Sequence, residues 1–512
     1  MRTLHWFRVD LRVHDNTGLH AAAVAARGAG GKGVVGLYLI TPTDWARHDE
    51  SPSKIDLMLR TVAALSADLA ELNIPLLVRF AGHHREVPSI VAQVAKEIGA
   101  AEVHANRQYE LHEFSRDEAT GDALKAQGTK FILHHDQCAM PPGDVRTKDM
   151  GPSGGKPYTV YTPFKKRWIA LCMEQGGIGS PSSGAGITIW PAPAKQEATG
   201  IKADAVPTFG DVPALAAYAQ TLGHGPVDAS IWPAGEAHAR QHLEQFIARS
   251  GPKYKDLRDT PSLDATSRLS PYLAIGAISP RVCISLAQQA NHGLLDAGNA
   301  GLAHWISEVL WREFYKHLFV AFPRLCKSRA FKPETERIIW NNDPKLLAAW
   351  QEGRTGVPIV DAGMRQLRAM GWMHNRLRMI TAMYLTKDIF HDWRAGERHF
   401  MRHLVDGDLS QNNGGWQWSA STGTDAAPYF RIMNPLLQSP RCDPEGKYIK
   451  KYVPELRDVP AEFIHDPHGD DVPMTIRLKL DYPQPIVDRT KVKDRVMKAF
   501  QGVGAAAEAR EV

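Results

Sequence analysis

The chain has 512 residues, 43% apolar and 23% charged, an ordinary globular balance with length for two or three domains. No apolar run reaches the roughly 20 residues of a membrane-spanning helix, and the charged opening MRTLHWFRVDLRVHD predicts no secretory signal. A net charge of +5 neither identifies nor excludes a nucleic-acid partner, while the scattered Cys138, Cys172, Cys283, Cys326 and Cys442, with no CxxC pair, point away from a disulfide framework and towards a reducing cytoplasm.

Residues 1–137 alternate two patterns. LHWFRV, VVGLYLI, IPLLVRF, AEVHANR and KFILHH read as short apolar strands. GLHAAAVAA, SKIDLMLRTVAALSADLAEL, VPSIVAQVAKEIG and EFSRDEATGDALKA between them have helical apolar spacing. The alternation predicts an α/β domain, a doubly wound parallel sheet whose ligands gather at the carboxyl ends of its strands. Gly28 to Gly33 spells G-x-G-x-x-G but follows a helix and precedes a strand, so it reads as an αβ loop rather than a dinucleotide site. GPSGGKP at 151–157 has proline where a phosphate loop needs Ser or Thr. His134, His135, Asp136 and Cys138 fit no zinc spacing, and no metal is predicted.

Residues 138–235 read as an interdomain region, with a helix at TPFKKRWIALCMEQ and a proline-spaced linker. From 236 to 500 the strand pattern gives way to helical segments, predicting a large all-α domain, with 501–512 as a frayed tail.

Four segments of the helical region depart from a plain core pattern. TSRLS (266–270) puts hydroxyls before a helix, which suits either an ordinary cap or a phosphate. Glu308, Trp311 and Arg312 share a helical face, which suits either a solvated surface or a pocket that stacks on a base. Asn375, Arg378 and Met379 share another, with Arg376 pointing elsewhere. DGDLSQNNGGWQW sets Asp406, Asp408, Gln411, Asn412 and Asn413 beside Trp416 and Trp418. So many polar side chains against indoles make a poor apolar core and suit a pocket for a large aromatic ligand, such as a flavin.

WFRVDLRVHDN, TSRLSPYLAIGAIS, WREFYKH, GWMHNRLRM, DGDLSQNNGGWQW and STGTDAAPYFRI together resemble the photolyase/cryptochrome family, and within it the class I photolyases for cyclobutane pyrimidine dimers, over about residues 1–490. The resemblance implies FAD in the helical domain. Tyr254, Thr266, Ser267, Arg268, Leu269 and Ser270 match residues around its diphosphate and ribityl chain, and Arg312 and Asn375 are further contacts. Arg378 and Asp408 match an ion pair beside the flavin ring, Asp406 matches a residue near its pyrimidine edge, and Asn412 faces flavin N5. An asparagine there exchanges hydrogen bonds with N5 without giving up a proton, which suits repair.

The resemblance also implies a pocket for an extruded dimer, made by Glu308, Trp311, Asn375, Met379 and Trp418. Blue light would drive one electron from reduced FAD into the dimer and back, with Glu308 stabilising the dimer radical anion by hydrogen bonding. Trp416, Trp393 and Trp340 match a relay that carries electrons from the surface to oxidised flavin. Arg258, Arg376 and Arg431 match phosphate contacts on DNA, with Lys447, Lys450 and Lys451 as looser candidates. His48, His112, Glu113, Cys326 and Lys327 match an antenna site for methenyltetrahydrofolate. The family pattern has Asn where His112 stands, so a deazaflavin or an empty site fits too. Three other readings are a cryptochrome-like blue-light photosensor, a six-four photoproduct enzyme and a DNA-binding module. Asn375 and Arg376, standing where the six-four enzymes place a histidine pair, argue against the second. A monomer and a cytoplasmic location satisfy everything in the sequence.

Overall fold

A computed structural model describes residues 1–27, 31–148 and 154–511, so Gly28 to Gly30 and Gly151 to Ser153 of the two glycine-rich stretches lie outside the described residues. By its contacts the chain divides into two compact units. The first comprises Met1–Lys255, Ser267–Pro323 and Val405–Gly407; the second comprises Asp256–Thr266, Arg324–Leu404 and Asp408–Val512. This division falls elsewhere than the change from mixed to helical sequence near 236, because the chain crosses from one unit to the other several times.

The first unit opens with β1 (Arg2–Phe7), α1 (Thr17–Ala26), β2 (Val34–Ile40), α2 (Pro52–Glu71), β3 (Leu76–Phe80), α3 (Val87–Glu97), β4 (Ala100–Asn106), α4 (Leu111–Ala126) and β5 (Lys130–His134). The strands pair in parallel in the order β3-β2-β1-β4-β5, the doubly wound sheet that the alternation predicts. Every residue of β2 is buried, as befits a parallel strand covered on both faces. Asn16 and Ser51 cap α1 and α2 by accepting from Leu19 N and Lys54 N, and Pro52 fills the first position of α2, where a missing N–H costs nothing. Helices α5 (Tyr161–Glu174), α6 (Glu236–Arg249), α7 (Pro280–Ala290) and α8 (Ala300–Ala321) belong to the same unit.

The charged loop after β1 is buried and mutually paired. Arg8 binds Asp117 at 2.6 Å, Arg12 binds Asp136 at 2.5 Å, and Arg281 on α7 reaches Asp15 at 2.9 Å and Asp136 at 2.7 Å. Burial alone would raise the Asp136 carboxyl, but the guanidiniums of Arg12 and Arg281 outweigh it and hold the group well below the usual carboxylate range. Gly276, at φ +71°, lets this loop approach: a Cβ there would lie 2.0 Å from Val9 O.

The second unit contains α9 (Pro358–Met370), α10 (Asn375–Met383), α11 (Trp393–His403), α12 (Leu409–Ala420) and α13 (Val492–Glu511). Its core gathers Trp350, Ile359, Leu377, Trp393, Phe400 and Trp416. Helix α13 runs as far as Glu511. Among the described residues no helix is long and apolar enough to cross a membrane, and all five cysteines are free.

Candidate functional site

In the first unit, α8 carries the acid–indole–guanidinium face. Asn299 caps the helix by accepting from Gly301 N and Leu302 N, and the 22-residue span puts Glu308, Trp311 and Arg312 on consecutive turns of one side. All three are half-buried. Glu308 lies 3.4 Å from His304 Nε2, one turn earlier. Arg312 donates to the carbonyls of Gln137 (2.6 Å) and Leu273 (3.4 Å), so part of its fork is spent on backbone.

Tyr254 is buried edge-on to Phe246, with ring centroids 5.8 Å apart. Leu269 is buried, and Arg268 takes a left-handed φ of +45°. The short helix Ser270–Ile275 follows with Leu269 at its cap and no side-chain cap bond, so the hydroxyls of TSRLS are not ordinary caps. The side chains of Thr266 and Ser267 make no hydrogen bond among the described residues. Asp406 is buried in this unit.

The second unit holds the amide-rich helix α12. Asp408 is its cap, accepting from Ser410 N at 3.0 Å and Gln411 N at 3.3 Å. Asn412 Nδ2 donates to the main-chain carbonyl of Glu397 on α11 at 2.9 Å. A carbonyl only accepts, so the nitrogen must be the atom turned towards Glu397, and Oδ1 is left facing away with no hydrogen bond among the described residues. Asn413 Nδ2 donates to Glu397 Oε1 at 2.8 Å, and Gln417 Nε2 donates to Asn413 Oδ1 at 2.8 Å. Burial pushes the Glu397 carboxyl up to about 7, against the pull of the Asn413 hydrogen bond.

Trp416 and Trp393 are buried at 2% and 1% exposure, whereas Trp340 is half-buried, a gradation from interior to surface. The Trp416 indole N–H is buried with no hydrogen-bond partner among the described residues. Gly396 makes room for it: a Cβ there would lie 2.1 Å from Trp416 Cη2. Trp350 stands edge-on to Trp416 with centroids 5.9 Å apart.

Asn375 is exposed at the first position of α10, with Arg378 and Met379 half-buried and Arg378 Nε donating to Met373 O at 2.8 Å. Trp418 is half-buried on α12. Arg258 and Arg376 converge on the Asp259 carboxylate, Arg258 at 3.7 Å, while Arg431 is exposed. Lys447 pairs with Glu445 at 2.7 Å, both well exposed, and Lys451 lies over the Tyr452 ring.

Three of the five antenna candidates come together. His48 Nε2 lies 2.9 Å from His112 Nδ1, and Glu113 lies 3.8 Å from His48 Nδ1. They line a pocket open to solvent at the carboxyl ends of β1 and β2, with Trp6, Tyr38 and Arg116 among its walls. Cys326 and Lys327 belong to the other unit, half-buried and exposed respectively. The histidines near β5 are otherwise engaged: His134 meets His104 at 3.0 Å, and Asp136 belongs to the arginine cluster.

Four residues escaped the sequence reading: Glu397, Trp350, Gly396 and Tyr161, whose ring stacks on Trp311. In WRAGERHFMRH the glutamate sits among charges and looks solvated, and only the glycine inside a helical pattern hinted at a close approach. In the second unit, the open Asn412 carbonyl and the unpartnered Trp416 N–H offer an acceptor and a donor that a ligand can use.

Comparison with known proteins agrees with that chemistry. Residues 3–182 match the DNA photolyase family, and residues 305–502 match the FAD binding domain of DNA photolyase. Across 97% of its length the chain is 41% identical to the deoxyribodipyrimidine photo-lyase of Escherichia coli, covering 98% of that protein. A bacterial class III photolyase from Agrobacterium tumefaciens superposes with a TM-score of 0.80 at 33% identity, over 98% of each chain. The Synechocystis sp. PCC6803 cryptochrome superposes with a TM-score of 0.79 at 25% identity, over 98% of this chain and 99% of that one.

Proposed function

The chain belongs to the DNA photolyase family, and from that premise we propose that it restores cyclobutane pyrimidine dimers in DNA to monomers, using blue light and FAD. The observation that carries this reading is the Asn412 amide, whose nitrogen is spent on the Glu397 carbonyl. What it turns outward is a neutral acceptor with no proton to give, which suits a reduced flavin N5–H and the repair state. FAD, when bound, supplies the light-excited electron that opens the cyclobutane ring and is then recovered.

The chain's own residues bind and orient. Thr266, Ser267 and Ser270 would meet the diphosphate, with Tyr254, Arg268, Leu269 and Arg312 around it. Arg378 and Asp408 would pair beside the ring, and Asp406 would take its pyrimidine edge. An extruded dimer would stack on Trp311 and Trp418, each such contact contributing about 1–3 kcal/mol, against a few kcal/mol to leave the duplex. Glu308 and Asn375 would hydrogen-bond the pyrimidine edges, and Met379 would close the pocket against water. Arg258, Arg376 and Arg431 would grip phosphates. Reading the His48, His112 and Glu113 pocket as an antenna site gives methenyltetrahydrofolate as its occupant. A native holoprotein without folate fluorescence sinks that assignment.

Trp340, Trp393 and Trp416 would relay electrons inward, in keeping with their graded burial. Trp340→Phe should then abolish photoreduction of oxidised FAD yet leave repair by pre-reduced enzyme unchanged; photoreduction at the wild-type rate excludes the relay as the sole route. The central test mixes reduced, FAD-loaded protein with an oligonucleotide carrying one thymine dimer, under blue light and in darkness. Light-dependent loss of the dimer supports the reading. No loss with FAD fully reduced replaces it with a photosensor.

A further inference from the structure

Tyr161 opens α5 and is buried at 6% exposure. Its ring lies 3.7 Å from that of Trp311, centroid to centroid, with 11° between the planes. So short a separation at so small an angle leaves little lateral offset, and the quadrupoles of two rings do not favour that arrangement over an offset or edge-on one. A hydrogen bond holds it in place. The Tyr161 hydroxyl donates to Ser307 O at 2.5 Å and sits 2.7 Å from Ser307 Oγ, one turn of α8 before Trp311. Burial keeps the phenol neutral and therefore a donor. The buried Phe314 ring stands edge-on to both partners, 5.8 Å from Tyr161 and 5.6 Å from Trp311. One face of the Trp311 indole is thus covered and its edge is wedged, while the residue remains half-buried.

We propose that Tyr161 is a positioning residue of the dimer pocket, fixing Trp311 as a one-sided platform on which an extruded pyrimidine dimer stacks. The proposal rests on the reading that Trp311 stacks on the dimer. A platform fixed in advance spares the ordering of a side chain on binding, a saving of about three- to tenfold in affinity. The effect is confined to the stacked dimer, because undamaged DNA is held mainly through phosphates and does not use the platform.

The experiment measures the affinity of the FAD-loaded protein for a strand with one thymine dimer and for the same strand undamaged. Tyr161→Leu removes the stack and should weaken dimer binding about tenfold while leaving undamaged DNA and FAD content unchanged. Tyr161→Phe keeps the ring but frees it from Ser307, and should cost about threefold. In a Trp311→Ala background, Tyr161→Leu should cost nothing further, since the residue acts through Trp311. Wild-type dimer affinity in both single variants overturns the proposal, as does an equal loss with and without Trp311. Should the leucine variant not fold, the phenylalanine variant decides: a loss confined to dimer DNA supports the proposal, and none overturns it. If Trp311→Ala itself leaves dimer affinity unchanged, the underlying reading of the pocket has failed, an outcome distinct from failure at Tyr161 alone.

Discussion

The first unit holds two polar constellations that treat their charges in opposite ways. Around the loop after β1, Arg12, Asp15, Asp136 and Arg281 are all at or below 4% exposure and satisfy one another. On α8, Glu308 and Trp311 are half-buried, and the acid lies 3.4 Å from a histidine one turn away rather than inside a closed arginine cluster. The first arrangement is finished by folding; the second presents groups that a ligand can use. Both segments look equally charged and distinctive in the sequence, so density of polar residues does not separate structure from function. What separates them is whether the polar atoms are consumed within the protein.

The contrast can be broken by substitution. Arg281→Leu should show the largest effect, because it strands the buried Asp15 carboxylate and takes from Asp136 one of its two guanidiniums: a loss of about 3–5 kcal/mol in urea unfolding, with repair yield per folded holoprotein unchanged. A cost under 1 kcal/mol would mean the cluster is not structural. In the second unit, Glu397→Gln tests a buried acid that belongs to neither extreme. Burial raises its folded carboxyl to about 7, above its ordinary 4.5, so between those values the folded state keeps a proton that the unfolded chain has released. Stability is therefore fully present below about 4.5 and falls as pH climbs towards 7. The glutamine variant should flatten that slope by roughly 1–3 kcal/mol between pH 5 and pH 7.5, measured by urea unfolding.

Glu308→Ala should change stability by no more than about 0.5 kcal/mol yet lower the quantum yield of dimer repair severalfold. Full yield removes Glu308 from the chemistry. The smallest effect belongs to Arg376→Ala, which should reduce the slope of log affinity against log salt by about one unit, alike for damaged and undamaged DNA. An unchanged slope would leave Arg376 as the ion-pair partner of Asp259 and nothing more.

The sheet was legible because VVGLYLI and its neighbours carry continuous apolar runs between amphipathic helices, and a parallel sheet demands both. The side of α8 was legible because i, i+3 and i+4 spacing survives intact in a regular helix. Glu397 was not, because Arg394 and Arg398 beside it give α11 the look of a solvated helix until the amides of α12 cover it. Tyr161 was not either: nothing in VYTPFKKRW marks a ring that meets an indole 150 positions later, and such pairings exist only once the chain has folded. The unit boundaries were not legible for the same reason, since Ser267–Pro323 reads as one more run of helices yet belongs to the unit that holds the α/β sheet.

The anchor of Asn412 is a main-chain carbonyl, not a side chain. An acceptor of that kind is present whatever residue occupies position 397, so no substitution at that position deletes it. The direction of the amide is thereby insulated from drift in its neighbour, and on the proposal that Asn412 faces the flavin, a lineage that needed different proton chemistry there would have to rewrite residue 412 itself.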